Sequence, residues 1–235
     1  ALYQFENNTD DSSSNNYNPT SKGNLSFPTS SPAPKFGTYS LKMNGTEGST
    51  GSYISGISSS LTANLRTSAA FSVSIWINPT TLSHSFPYGG PAIFRMLDNI
   101  YVQLFLENNG FVKYYIIDSS STYSESVSTT AVVANEWSHI CFTASVANGA
   151  RLYINGQQSG LTQAWNGTFL TYSSPYYQTN SIGCSRNFGA SPPNNPFSVF
   201  QGSLDQLRIY NTALTQPQVL QLAYMNIDTK FDDGT

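Results

Sequence analysis

The run Phe71-Ser72-Val73-Ser74-Ile75-Trp76-Ile77-Asn78-Pro79 places Phe71, Val73, Ile75 and Ile77 at alternate positions. Successive side chains of a strand point to opposite faces, so this spacing predicts a strand with one strongly apolar face, ended by Pro79. The same period recurs downstream. Residues 92–97 and 100–106 lead to Asn108-Asn109-Gly110, a tight-turn sequence, and residues 111–117 form the returning arm. Residues 137–145 carry Ile140, Phe142 and Ala144 on one side. Asn148-Gly149 turns the chain into residues 151–155, and Asn155-Gly156 turns it again. Residues 200–210 give a last strand with Leu204, Leu207 and Ile209 as its apolar members. Such a succession, about ten short strands with frequent turns, predicts an all-β fold, a two-sheet antiparallel β-sandwich of jelly-roll type.

A single helix is expected, near the C-terminus. Thr215-Gln216-Pro217-Gln218 combines an N-cap threonine, a proline in the first turn and a glutamine at the capping-box position. Val219, Leu220, Leu222 and Ala223 then supply a narrow apolar stripe. Upstream, the first 35 residues are mostly Asn, Ser, Thr and Pro after a short apolar start at Leu2, Tyr3 and Phe5, and read as loop. One domain over residues 1–227, followed by a polar tail at 228–235, accounts for the pattern.

The 235-residue chain has only 10% charged residues and a net charge of −3. That charge gives no field to gather nucleic acid or anionic lipid, so neither partner is expected. No apolar run approaches the roughly 18 residues needed to span a bilayer. A surface made polar by hydroxyls and neutral amides suits sugars, ordered water or other proteins, and points to an extracellular chain, secreted or displayed on a cell or virion surface. Asn7, Asn24, Asn44 and Asn166 each begin an Asn-x-Ser/Thr triplet and are candidate glycosylation sites. Cys141 and Cys184 have two readings. They could close one disulfide loop of about 40 residues, or be two buried thiols packed as small apolar groups.

Three segments, in order, resemble a known family. Phe71–Pro79 is similar to the strand "F-t-v-s-x-W-i" of laminin G-like and pentraxin-like domains. Trp137-Ser138-His139-Ile140-Cys141-Phe142-Thr143 with Arg151-Leu152-Tyr153-Ile154-Asn155-Gly156 resembles their hairpin "W-x-h-i-x-x-t … l-Y-v-N-G". Residues 200–210 with Thr212-Ala213-Leu214-Thr215 resemble "f-x-G-x-i-D-x-v-r-i-Y-n-x-a-L-t". The opening Tyr3-Gln4-Phe5-Glu6 and Asp10-Asp11-Ser12-Ser13 look like the family's first strand and its "D-x-S-G" loop, with Ser in place of Gly. The resemblance implies the laminin G-like, concanavalin A-like lectin/glucanase fold, which hosts sugar binding, adhesion and structural roles alike. It also implies a structural calcium where first and last strands meet, with Glu6 or Asp11 near Asp205. The paired calcium ligands of pentraxins would fall near Cys184-Ser185-Arg186-Asn187, which lacks carboxylates.

Catalysis finds little support. A retaining glycosidase needs two carboxylates about 5 Å apart, and Glu6, Glu47, Glu107, Glu125 and Glu136 are too scattered to pair along one strand. His139 reads as a packed residue of its strand. Aromatic rings bind sugars by stacking on their apolar faces, which singles out Trp165, Tyr172, Tyr176 and Tyr177, with Arg186 close behind. A second aromatic loop holds Phe86 and Tyr88. The expectation is a non-catalytic carbohydrate-binding or adhesion module for a glycan or an extracellular protein. The alternative is a self-assembling structural subunit of a filament, coat or virion surface.

Overall fold

The computed structural model describes residues 1–84, 90–96, 101–170, 180–186 and 196–224. Strands β1 (Leu2–Tyr3), β2 (Ser21–Gly23), β3 (Leu41–Asn44) and β4 (Tyr53–Ser55) lead to helix α1 (Ser59–Ser68). The long β5 (Ala70–Pro79) follows, then β6 (Ala92–Met96), β7 (Tyr101–Leu106), β8 (Val112–Ile117) and β9 (Tyr123–Val127). Next come β10 (Ser138–Ser145), β11 (Gly149–Ile154), β12 (Gln157–Gln158), β13 (Ser181–Ile182), β14 (Ser185–Arg186) and β15 (Pro196–Phe197). Strand β16 (Gln201–Tyr210) and helix α2 (Gln216–Tyr224) complete the order.

Among the described residues two seven-stranded antiparallel sheets form. The first runs β1-β16-β5-β10-β11-β12, with β3 also on β16; the second runs β2-β4-β13-β6-β7-β8-β9. The fold class expected from the alternation is the one observed. Phe71, Val73, Ile75 and Ile77 of β5, with Ile140, Phe142 and Ala144 of β10, face Phe94, Met96, Val102, Leu104, Tyr114 and Ile116 of the second sheet in one fully buried core.

The turns follow their sequences. Ile154 pairs with Gln157 across Asn155 and Gly156, both with positive φ (49° and 80°), the two-residue geometry that suits the strand twist. At the head of α2, Gln218 Oε1 accepts from the Thr215 amide and hydroxyl, both at 2.9 Å, which is the glutamine half of the expected capping box.

Helix α1 was not anticipated. Its sequence offers only Leu61 and Leu65 as buried apolar contacts, one turn apart, and its start is set by Ser58, whose hydroxyl accepts from the Ser60 amide. So sparse a stripe gives no periodic signal. A second departure lies on the outer face of the first sheet. Ser72, Ser74, Trp76 and Asn78 are buried as completely as their apolar neighbours. Helix α2 covers part of this face, Val219 packing on Cys141 and Tyr153. The strap at residues 33–38 covers another part, with the Phe36 ring edge-on to Trp76 at 5.9 Å and the Ala33 carbonyl accepting from Trp137 Nε1.

The two cysteines do not form a disulfide. Cys141 points outward beneath α2, whereas Cys184 belongs to the core between the sheets, so a sheet separates the thiols. Burial holds the Cys141 thiol far above its usual pKa.

Candidate functional site

The residues expected to hold a cation separate into two places. Asp11 closes the N-terminal loop. Its Oδ1 accepts from the amides of Leu2 and Ser13, and its Oδ2 from the Tyr17 amide and the Ser13 hydroxyl. Burial raises its pKa, but these donors outweigh burial and leave the carboxyl below the usual range. Glu6 and Asp205 instead both accept from amides of the strap at residues 33–38. Glu6 accepts from the Thr38 amide at 3.1–3.2 Å, and Asp205 Oδ2 from the amides of Lys35 and Phe36 at 3.0 Å. Asp205 Oδ1 is buried with no hydrogen-bond donor. Burial pushes the Asp205 pKa up to about 7, against the pull of the Phe36, Gln206 and Lys35 amides, and Glu6 adds to the rise.

The residues expected to meet a ligand also divide. Trp165 is a core residue: it packs on Phe71 and Phe169, and its Nε1 donates to the Thr168 carbonyl, so its ring is not presented to solvent. Arg186 lies in β14, at a position paired with Pro196. Tyr172, Tyr176, Tyr177, Phe86 and Tyr88 lie outside the described residues, as does the tail at 228–235. Of the sequon asparagines, all exposed, Asn24, Asn44 and Asn166 donate their amides to Gly51, Thr50 and Asp118 respectively. A glycan there would replace those bonds; Asn7 carries no comparable restraint.

A site not anticipated from sequence crosses the outer face of the second sheet. Ser55, Ser181, Arg95, Gln103, Tyr115 and Glu125 are successive direct partners across β4, β13, β6, β7, β8 and β9. Their strand neighbours Ile54, Ile182, Phe94, Met96, Val102, Leu104, Tyr114 and Ile116 point into the core, so this row points outward. At about 4.8 Å per strand it forms a band of hydrogen-bonding side chains roughly 24 Å long.

Aromatic and apolar residues flank the band. Phe105 lies on one side, edge-on to Tyr115 at 5.9 Å between centroids. On the other side Tyr101, Ile117 and Tyr123 form the adjacent row, with Tyr123 66% exposed. Lys113 Nζ lies 4.6 Å above the Tyr115 ring and 3.5 Å from Glu125 Oε2. Burial lowers the Lys113 pKa, but Tyr115 and Glu125 outweigh burial and keep the ammonium charged. The Tyr115 ring is therefore fixed from one edge and one face before any ligand arrives. Arg95 and Gln103 are only 6% and 5% exposed, and Phe197 of β15 lies over Arg95 at 5.9 Å. Ser55 and Ser181 are buried as well, so the band is covered from β4 to β7 and open along β8 and β9.

A model of the concanavalin A-like lectin/glucanases superfamily, of laminin G type, matches residues 47–220. The chain belongs to this superfamily. No curated protein matches this chain. Among solved structures, domain 4 of the extracellular arabinanase AbnA from Geobacillus stearothermophilus, in complex with arabinotriose, matches at TM-score 0.63 and 21% identity over 95% of this chain and 97% of that one. The receptor-binding domain of botulinum neurotoxin C/D mosaic serotype matches at TM-score 0.63 and 17% identity, covering 94% of this chain and 50% of that one. A botulinum neurotoxin type C structure, described as dependent on two ganglioside molecules for cell entry, matches at TM-score 0.68 and 14% identity with the same coverage. The chain spans about half the length of these neurotoxin binding domains.

Within a superfamily of lectins and glucanases, carboxylate placement matters. Glu125 is the one acid in the band, and it is paired with Lys113. On the opposite sheet Ser74 Oγ meets His139 Nε2 at 2.8 Å, a pairing that nucleophilic enzymes use. Here both residues are buried, no carboxylate bonds His139 Nδ1, and burial beside Arg208 and Lys35 drives the imidazole pKa down to about 3. The pair holds β5 to β10.

Proposed function

We propose that this chain is a non-catalytic carbohydrate-binding module that works outside the cell and takes an oligosaccharide at the open β8–β9 end of the outer face of its second sheet. The observation that carries the proposal is the open end of the band, where Tyr115 is held rigid beside the exposed Glu125 and Tyr123. Sugar rings stack on such rings while amides, hydroxyls and guanidinium groups pair with their hydroxyls. Support comes from the arabinotriose complex of a domain with the same fold and nearly the same extent. A lone, ion-paired glutamate supports binding without hydrolysis. The self-assembling alternative is less favoured, because the edge at β9 is already covered: the Leu161 amide donates to Ser126 Oγ, and Ser124 Oγ donates to the Ala164 carbonyl.

The test is calorimetric titration with arabino-oligosaccharides and a panel of other neutral oligosaccharides. Tyr115→Ala is expected to weaken binding at least tenfold, roughly 1.4 kcal/mol, with an unchanged melting temperature. Binding unaffected by Tyr115→Ala and Glu125→Ala together, or absent throughout the panel, would refute the reading.

We also propose that Glu6 and Asp205 hold one structural calcium ion. Calcium is bound by hard oxygen ligands, and the buried, undonated Asp205 Oδ1 beside Glu6 fits that need. Asp11, its oxygens committed to four donors, does not.

A further inference from the structure

A groove of about 630 Å³ opens on the other sheet, away from the band, between the loop at Ser12–Tyr17, helix α1, the end of β16 and the head of α2. That volume lies within the roughly 300–1,000 Å³ typical of small-ligand sites. Its apolar floor is made by Leu61 and Leu65 of α1 with Leu222 of α2, all buried. Its rim is made of neutral hydrogen-bonding groups: the Tyr17 phenol, which accepts from Asn64 Nδ2, together with Asn15, Asn211 and Gln218.

One side-chain charge lines the groove, the half-buried guanidinium of Arg208, steadied by Gln206 Oε1 at 3.1 Å and by the Tyr210 hydroxyl. Among the described residues no carboxylate lines it. The nearest along the chain, Asp11, turns its oxygens to the amides of Leu2, Ser13 and Tyr17 and to the Ser13 hydroxyl. The backbone explains the position of Arg208. A bulge between Asp205 and Arg208, with Gln206 at φ 48°, keeps Leu204 and Leu207 both inward and turns Arg208 outward.

We propose that this groove is a second saccharide site, specific for a sugar that bears a carboxylate. A planar guanidinium pairs a carboxylate with two parallel hydrogen bonds. Asparagine and glutamine amides offer both donors and acceptors to ring hydroxyls. The leucine floor accepts the apolar face of the ring. A free phosphate has no apolar face to set on the leucine floor. The site is independent of the band, so the two proposals fail separately.

The experiment is an NMR titration of the whole chain with methyl β-glucuronide, using methyl β-glucoside and inorganic phosphate as comparison ligands. The expected result is saturable shifts for the glucuronide at residues of α1 and of the loop at 12–17, with at least tenfold weaker response to the glucoside. Arg208→Gln and, separately, the exposed helix variant Asn64→Ala should each weaken glucuronide binding severalfold, while Tyr115→Ala leaves it unchanged. Equal response to both glycosides, preference for phosphate, no saturable response, or indifference to both groove variants would each overturn the proposal.

Discussion

Asp205, Gln206 and His139 show how far a residue's role depends on what covers it. Asp205 and His139 lie on the outward side of the first sheet, where an alternating strand would leave them in water. The strap and α2 bury both instead. His139 is kept neutral, hydrogen-bonded to Ser74, with its pKa driven down to about 3. Its folded pKa is below the unfolded value, so its contribution to stability is complete above about pH 6.5 and is lost as pH falls toward 3. The slope over that window reaches about 1.4 kcal/mol per pH unit for one proton. Asp205, pushed up to about 7, takes up its proton in the folded state over the same window and opposes that loss. We therefore expect His139→Gln, which retains a partner for Ser74, to lose less stability, read as melting temperature, than the parent chain between pH 7 and pH 4. A variant with the same acid slope as the parent chain would count against this account. Gln206 carries a different lesson. Were the strand regular through Gln206, Leu204 and Leu207 would face opposite ways, and either Asp205 or Arg208 would turn into the core.

Among the elements, α2 has the most leverage, because it seals the outer face of the first sheet and borders the groove. Its position depends on the β11–β12 turn beneath it. Gly156 has φ 80°, and a β-carbon there would approach Leu220 Cδ1 to 2.8 Å and Leu220 Cα to 3.1 Å. Gly156→Ala thus combines left-handed strain of roughly 1–2 kcal/mol with a collision against the helix. The expected outcome is a melting temperature several degrees lower, with faster amide exchange along α2. Unchanged exchange in α2 would show that the helix does not rest on the turn. The second sheet works differently. Its strands lie in direct register from β2 to β9, and that register, not any single loop, aligns the band.

At the scale of the molecule, the chain's first segment is bound to its last strand. Leu2 and Tyr3 pair with Arg208 and Leu207, and Glu6 lies beside Asp205 beneath the strap at residues 33–38. A calcium ion held by Glu6 and Asp205 would join segments about 200 residues apart. At a hundredfold excess over its dissociation constant it would add about 2.7 kcal/mol. We expect calcium to raise the melting temperature by roughly 5 °C, chelator to reverse the rise, and Asp205→Asn to abolish it. No shift with calcium would remove the ion from the fold. The all-β class, the hairpins and the capped α2 could be read from the sequence alone, because alternation, Asn-Gly turns and capping residues act within a few positions of one another. Trp165 was misread for want of that locality: an aromatic ring looks the same in a sequence whether it caps a core or meets a ligand. The separation of Cys141 from Cys184, the burial of His139 and the band from Ser55 to Glu125 were decided only by tertiary structure. Each depends on which strands become neighbours and which face is covered, and those are set by long-range pairing between residues that the sequence keeps far apart.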